Sequence, residues 1–262
     1  MKTKNKKDIA VFVPTRLKSK RLKNKANLLI GKKKSAQWCL DYSAKINGIK
    51  KVFLLTSKLK QDDNLLSLKY SKKIKIFRGS PNNLVKRFID AAEKNRIKTI
   101  IRVTGDCPFI SKEIMSFLLK NHLRKKADFT AAKKYSVGTS GEIIEVKALK
   151  ILLKKLKNFS HTEYMTMFFL DNPKIFRLNI VNLPKKFVRN YRLTLDYKKD
   201  LDMFNELYKK SKEMKKELNL KNIFYILDNY KYISKINQNL KLVYTSKDFR
   251  KKIKKFTKLK VA

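Results

Sequence analysis

The sequence predicts an α/β fold with a mostly parallel sheet flanked by helices. Two observations carry this. Short β-branched runs alternate with amphipathic stretches as far as about residue 131. In addition, the stretches PTRLKSKR, FRGSPNN and TGDCPF each follow directly on a predicted strand. In a parallel sheet such loops meet beyond the strand ends, where ligands bind near a switch in strand order. The chain has 262 residues, 43% of them hydrophobic, enough for one large core.

The elements follow in order. IAVFVP (Ile9–Pro14) reads as a buried strand. SAQWCLDYSAKI (Ser35–Ile46) reads as a helix with Trp38, Leu40 and Tyr42 near its apolar side, and KVFLLTS as the second strand. DDNLLSLKYSKK has helical spacing, and its acidic start suits the positive end of a helix dipole. KIKIFRGS is a third strand, NNLVKRFIDAAEKN a helix with an Asn cap, and KTIIRVTGDCP a fourth strand with its exit loop. SKEIMSFLLKNHL is a helix capped by Ser111, with Glu113 one position short of a full capping box. DFTAA is a fifth strand. The crossovers between parallel strands should be right-handed.

The second half is less regular. YSVGTSGEIIEV reads as a loop into a strand, ALKILLKKLKNF and HTEYMTMFFLDN as helices, and IFRLNIVNLP and YRLTLDY as strands. KKDLDMFNELYKKSKEMKKEL is a long amphipathic helix. The whole reads as a single domain, 1–262, with 136–184 an inserted subregion and 221–262 a helical, lysine-rich appendage. The apolar cluster YMTMFFL and the strand-like IFRLNIV predict an uncovered surface in 136–184. A homodimer is expected there, with the nearby acids Glu142, Glu145 and Glu163 mixed into the contact.

Lys and Arg total 66 against 21 Asp and Glu, a formal charge of +45. Such a balance suggests a polyanion partner. However, lysine runs through almost every segment, together with the Asn and Ile that A/T-rich codons favour. The charge is therefore read as lysine enrichment on solvated faces. No zinc finger, aromatic RNA-binding signature or recognition helix is visible, so no specific nucleic acid is expected. Cys39 and Cys107 are too few for a disulfide framework, and with His122 and His161 make no metal cluster. No apolar stretch approaches the roughly 20 residues that cross a bilayer. MKTKNKKD has no apolar core behind its charges, so a cytoplasmic enzyme without membrane insertion is expected.

The loop PTRLKSKRLKNK spreads Arg16, Ser19, Arg21 and Lys25 after the first strand. Guanidinium forks and backbone N–H groups in such a loop can wrap a triphosphate. The glycine-rich phosphate loops are absent, since no glycine stands between Pro14 and Gly31. VPTRLKSKRLKNKANLLIGKK resembles the opening motif of the cytidylyltransferase family, P-A-R-x-x-S-x-R-L-P-G-K-x-L, whose members include the CMP-Kdo and CMP-acylneuraminate synthetases and spore-coat-polysaccharide biosynthesis proteins. FRGSPNNLVKRF is similar to that family's F-R-G-S-x-x-D-V-L-x-R-F, and IIRVTGDCPFI to its V-R-x-T-G-D-C-P-L-I. GEIIEV, EYMT and YRLTLDYKKDL resemble G-L-D-V-E-V, E-H-V-T and L-R-L-T-V-D-T-P-E-D-L, in the same order along the chain.

The resemblance implies a Rossmann-like, nucleotidyltransferase-type sheet and CMP transfer from CTP, with Mg²⁺ or Mn²⁺, to an acidic sugar of the 2-keto-3-deoxy type. It implies nucleotide contacts from Pro14, Thr15, Arg16, Ser19, Arg21, Lys25, Arg78, Ser80, Arg87 and Asp106, with Arg21, Lys25 and Asp106 catalytic. Asp106 and Asp196 would share the metal, because hard cations take carboxylates. Arg102, Glu145, Glu163, Tyr164 and Arg192 would face the acceptor. The chain departs from the pattern at Lys23-Asn24, Lys58, Ile143 and Tyr164, and the last two fall where the acceptor would sit. A related enzyme acting on a phosphorylated acceptor is the alternative, and a catalytically degenerate family member is another.

Overall fold

The computed structural model describes residues 6–19, 21–242, 244 and 246–260. Residues 1–5 of the N-terminal stretch, and the last two of the lysine-rich tail, lie outside the described residues. The strands are β1 (Ile9–Pro14), β2 (Leu29–Ile30), β3 (Lys33–Lys34), β4 (Val52–Ser57), β5 (Ile74–Gly79), β6 (Thr99–Arg102), β7 (Phe129–Ala132), β8 (Glu142–Glu145) and β9 (Leu178–Val181). The helices are α1 (Ser35–Ala44), α2 (Leu84–Lys94), α3 (Lys112–Lys125), α4 (Val146–Lys155), α5 (Met165–Leu170), α6 (Lys198–Glu213), α7 (Leu220–Asn229), α8 (Lys231–Lys235) and α9 (Lys247–Thr257).

A seven-stranded sheet runs β5-β4-β1-β6-β8-β7-β9, and β2 and β3 form a small separate hairpin. Only β8 runs against its neighbours. From β1 the chain moves outward through β4 to β5, then returns to place β6 on the other side of β1. The reversal puts a crevice between the ends of β1 and β6. The strands read as continuous apolar runs because both faces are covered. Val11, Val13, Leu54 and Ile101 pack toward α1, α3 and α6, while Phe12, Phe53, Leu55 and Ile100 pack toward α2, α4 and α5.

Local chemistry sets the helix starts. Asn83 caps α2 by accepting from Lys86 N, and Ser111 caps α3 by accepting from Ile114 N. Glu113 bonds the Ser111 hydroxyl at 2.8 Å instead of closing the box on the backbone. DDNLLSL forms a 3-10 segment, Lys60–Leu68, and not an α-helix. YRLTLDY forms no strand; its one bridge pairs Arg192 with Val137, and the rest hydrogen-bonds irregularly along the loop that follows β6.

The segment 136–184 is not set apart from the main sheet: β8 lies inside it and β9 closes one edge. Most of YMTMFFL is covered, although Leu170 is exposed. Met165, Phe168 and Phe169 are buried, with Phe169 stacked on Phe129. The chain's own C-terminus packs on this segment, with Leu259 joining the same apolar cluster and Arg250 paired to Asp171 at 2.8 Å. Much of the apolar surface from which a homodimer was expected is therefore covered within one chain, while Leu170 and Ile180 remain exposed. Among the described residues, no helix is long and apolar enough to cross a membrane.

Candidate active site

The crevice at the β1/β6 reversal opens into a cavity of about 340 Å³. The basic loop after β1 forms one side of it. Thr15 N donates to Leu55 O, and Leu17 N donates to the buried carboxylate of Asp62 at 2.9 Å, which pins the loop to the 3-10 segment after β4. Where the family pattern has Pro-Gly, Asn24 takes the left-handed conformation (φ 53, ψ 25). Asparagine tolerates this region better than other non-glycine residues, so the departure at Lys23-Asn24 keeps the turn. The turn delivers Lys25 into the cavity.

TGDCP forms the other side. A Cβ on Gly105 would lie 2.4 Å from Thr15 Oγ1, so glycine is what lets the β1 and β6 loops touch. Leu195 N donates to Asp106 O at 2.8 Å, drawing the extended segment 192–196 alongside and bringing Asp196 up to Asp106. Gly138 (φ 93) leaves room for this, since a Cβ there would strike Leu193 O.

The two carboxylates converge on one cation. Lys25 Nζ is 2.8 Å from Asp106 Oδ2 and 2.8 Å from Asp196 Oδ1. Arg21 Nη2 reaches the same Asp196 oxygen at 2.6 Å, and Arg192 holds the other at 3.3 Å. Burial works against the Asp106 charge, but the Lys25 ammonium outweighs it and lowers the carboxyl pKa to about 2. For Lys25, burial opposes the charge and the two aspartates overcome it, so the ammonium holds its proton more tightly than usual.

Pro14, Thr15, Arg16, Ser19, Arg21, Lys25, Arg87, Arg102, Asp106, Glu163 and Tyr164 all line the cavity. Arg87 is buried and donates Nε and Nη2 to Ser80 O at 2.9 and 2.5 Å, holding the loop that presents Pro81 and Asn82. Burial, with the charge of Arg16, lowers its pKa to about 10. Arg102 Nη1 pairs with Glu142 at 2.6 Å, and Thr166 donates to the other Glu142 oxygen at 2.7 Å. Among the described residues, Arg102 Nε is buried without a partner.

Five expected residues are not among those lining the cavity: Asp196, which meets it through Lys25 and Arg21, and four others. Arg78 braces the loop after β4, donating to Ser57 O and Leu59 O and pairing with Asp63 at 2.6 Å. Ser80 Oγ accepts from Asn83 N and so serves the turn into α2. Arg192 lies behind Asp196, bonded to it and to Asp200. Glu145 is at the opposite end of the sheet, paired with Thr99 and His122. Because β8 is antiparallel to β6, its first residue, Glu142, meets Arg102 and its last meets Thr99. Glu142, the partner of the cavity-lining Arg102, is thus a carboxylate that the motif comparison passed over. Asp62, Thr166 and Asp200 were also missed. Their only sequence signals were an acidic helix start, a Thr within an apolar run, and the second Asp of LDYKKDL.

A family model for cytidylyltransferases matches residues 10–253. An uncharacterized protein of Methanocaldococcus jannaschii is 28% identical over 231 residues, 88% of this chain and 94% of that one. The spore coat polysaccharide biosynthesis protein SpsF of Bacillus subtilis is 28% identical over 163 residues, 61% of this chain and 68% of that protein. Among solved structures, a cytidylyltransferase from Leptospira borgpetersenii superposes with a TM-score of 0.78 at 22% identity, covering 90% of this chain and 98% of that one. A CMP:2-keto-3-deoxy-manno-octonic acid synthetase complexed with CTP superposes with a TM-score of 0.60 at 14% identity, covering 78% and 99%. The motif order, the sheet and the matched span agree: the chain belongs to the cytidylyltransferase family and is a CTP-dependent nucleotidyltransferase.

Proposed function

We propose that the protein transfers CMP from CTP to a hydroxyl of an acidic sugar, of the 2-keto-3-deoxy type, releasing pyrophosphate for the assembly of a surface glycan. The observation that carries this reading is the convergence of Asp106 and Asp196 on a single cationic point beside a loop of arginines. Arg16, Arg21 and Lys25 would hold the triphosphate and meet the charge that builds on the departing pyrophosphate. Arg102 lines the cavity with its plane fixed by Glu142, and is the guanidinium that an acceptor carboxylate would meet. Glu163 and Tyr164 offer hydrogen-bond partners to sugar hydroxyls at the same wall.

The donor set fits a divalent cation. Two carboxylate oxygens that both reach one ammonium can both reach one hard ion, and among the described residues no third His, Cys, Asp or Glu joins them. Phosphate oxygens and water would complete the shell. When bound, Mg²⁺ or Mn²⁺ would neutralise phosphate charge and lower the pKa of an attacking hydroxyl. The protein's own residues supply position and charge complementarity.

The test is pyrophosphate release and mass-spectrometric product detection with CTP and a panel of sugar acids, sugar phosphates and neutral sugars. A CMP ester of a sugar acid is the expected product. Turnover confined to phosphorylated acceptors would overturn the acceptor class, and no CTP turnover with any of them would overturn the reading.

A further inference from the structure

The helical C-terminal appendage reaches the Asp200–Arg192 pair behind Asp196. Asn237, in the turn after α8, is 2% exposed. Its amide nitrogen donates one hydrogen to Arg192 O at 3.0 Å and the other to Asp200 Oδ1 at 2.9 Å. Asp200 is wholly buried, and its two oxygens are saturated. Oδ1 takes Arg192 Nε and Asn237, while Oδ2 takes Arg192 Nη2 and the backbone N–H groups of Asp196 and Tyr197. Arg192 in turn donates to the Asp196 side chain at 3.3 Å. Both the backbone and the carboxylate of Asp196 are therefore set by the Asp200–Arg192 pair, and Asn237 closes that network from another part of the chain.

We propose that Asn237 is a positioning residue for the reaction, fixing the Asp200–Arg192 pair so that the Asp196 carboxylate meets Lys25 and Arg21. This rests on the cytidylyl-transfer reading of the site. The local backbone alone does not place the Asp196 carboxylate: the side chain has two rotatable bonds and sits on an extended segment outside the sheet. A hydrogen-bonded template is what makes one rotamer dominant, and a closed network is stiffer than its separate pairs. Removing Asn237 leaves Arg16, Arg21 and Lys25 in the cavity, so the charge available to the triphosphate is unchanged. What is lost is the geometry at the reacting centre, which appears in kcat before it appears in CTP affinity.

The test uses the full chain with Asn237→Leu, close in size but without a donor, and Asn237→Ser, a shorter donor that keeps the experiment interpretable if the leucine variant fails to fold. Turnover, CTP affinity by calorimetry and a crystal structure of the variant are measured. Asn237→Leu is expected to lose about tenfold or more in kcat, with CTP affinity held within about threefold and Asn237→Ser between it and wild type. In the crystal, the Asp196 carboxylate should leave Lys25. A folded variant with wild-type kcat overturns the proposal, as does a parallel loss of stability and CTP affinity with kcat unchanged. If wild-type protein turns over no acceptor with CTP, the functional reading falls by itself. The crystal then still decides: an Asp196–Lys25 contact unchanged in the variant overturns the positioning role.

Discussion

Replacing Asp106 by asparagine separates the chemical role of this carboxylate from its structural one. The fall in its pKa from an ordinary 3.8 to about 2 corresponds to about 2 kcal/mol of folding free energy. The sign follows from the direction. A carboxyl whose folded pKa is lowered contributes stability above the ordinary carboxylate range, and that contribution is lost as pH falls through about 2. Asp106→Asn should therefore unfold about 2 kcal/mol more easily than wild type at neutral pH, a drop of about 4–8 °C in midpoint for a chain of this size. The gap should close as the pH is taken from about 5 toward 2, because wild type loses there what the variant never had. Activity should fall far more, by about 10² to 10³, since the amide neither compensates Lys25 nor suits a hard cation. Urea melts across pH and a pyrophosphate-release assay read the two effects independently. A folded variant turning over within about threefold of wild type would refute the catalytic assignment, and a stability gap independent of pH would refute the charge argument.

Three other expectations follow from the same contacts. Lys25→Met leaves Asp106 without its cation and should cost about 3 kcal/mol; millimolar Mg²⁺ should raise its melting temperature more than that of wild type, and an equal response would show that the two aspartates do not hold the ion. Arg87→Lys loses the fork on Ser80 O and should weaken CTP binding about tenfold in calorimetry, while unchanged affinity would make the 80–82 loop irrelevant to the nucleotide. Glu142→Gln should raise the KM for the acceptor at least about fivefold with that for CTP unchanged, whereas Glu145→Gln should leave both constants alone; the reverse pattern would put Glu145, and not Glu142, beside the acceptor.

The fold and the main carboxylates were legible because each rests on local chemistry. Strand, loop and glycine follow one another in TGDCP, and the contact between Gly105 and Thr15 needs nothing beyond the sheet that the alternating pattern predicts. Arg78 and Glu145 were misplaced for reasons that local pattern does not contain. Ile76 packs on the α1 side of the sheet and Phe77 on the α2 side. Arg78, two residues after Ile76, therefore points away from Arg87 and the cavity, and it braces the loop after β4. Glu145 depended on strand direction. Three residues of extended chain span about 10 Å, enough to move a carboxylate from the mouth of the site to the far end of the sheet once β8 runs antiparallel. The clamp by Asn237 was invisible for a third reason: its partners stand 37 and 45 positions away, and nothing local marks the residue.

The charge of the chain gains meaning from where its two kinds of cation lie. Of the 66 basic residues only 11 are arginine, yet the described residues lining the cavity include four arginines, Arg16, Arg21, Arg87 and Arg102, and two lysines, Lys18 and Lys25. At the site and behind it the planar fork donates two bonds at once, as Arg87 does to Ser80 O and Arg192 does to Asp200. The lysine that remains at the centre, Lys25, sits where a compact charge is wanted between two carboxylates, a place that a guanidinium plane fits poorly. The basic loop is thus a built device within a chain that is basic nearly everywhere, and the difference lies in geometry more than in amount of charge.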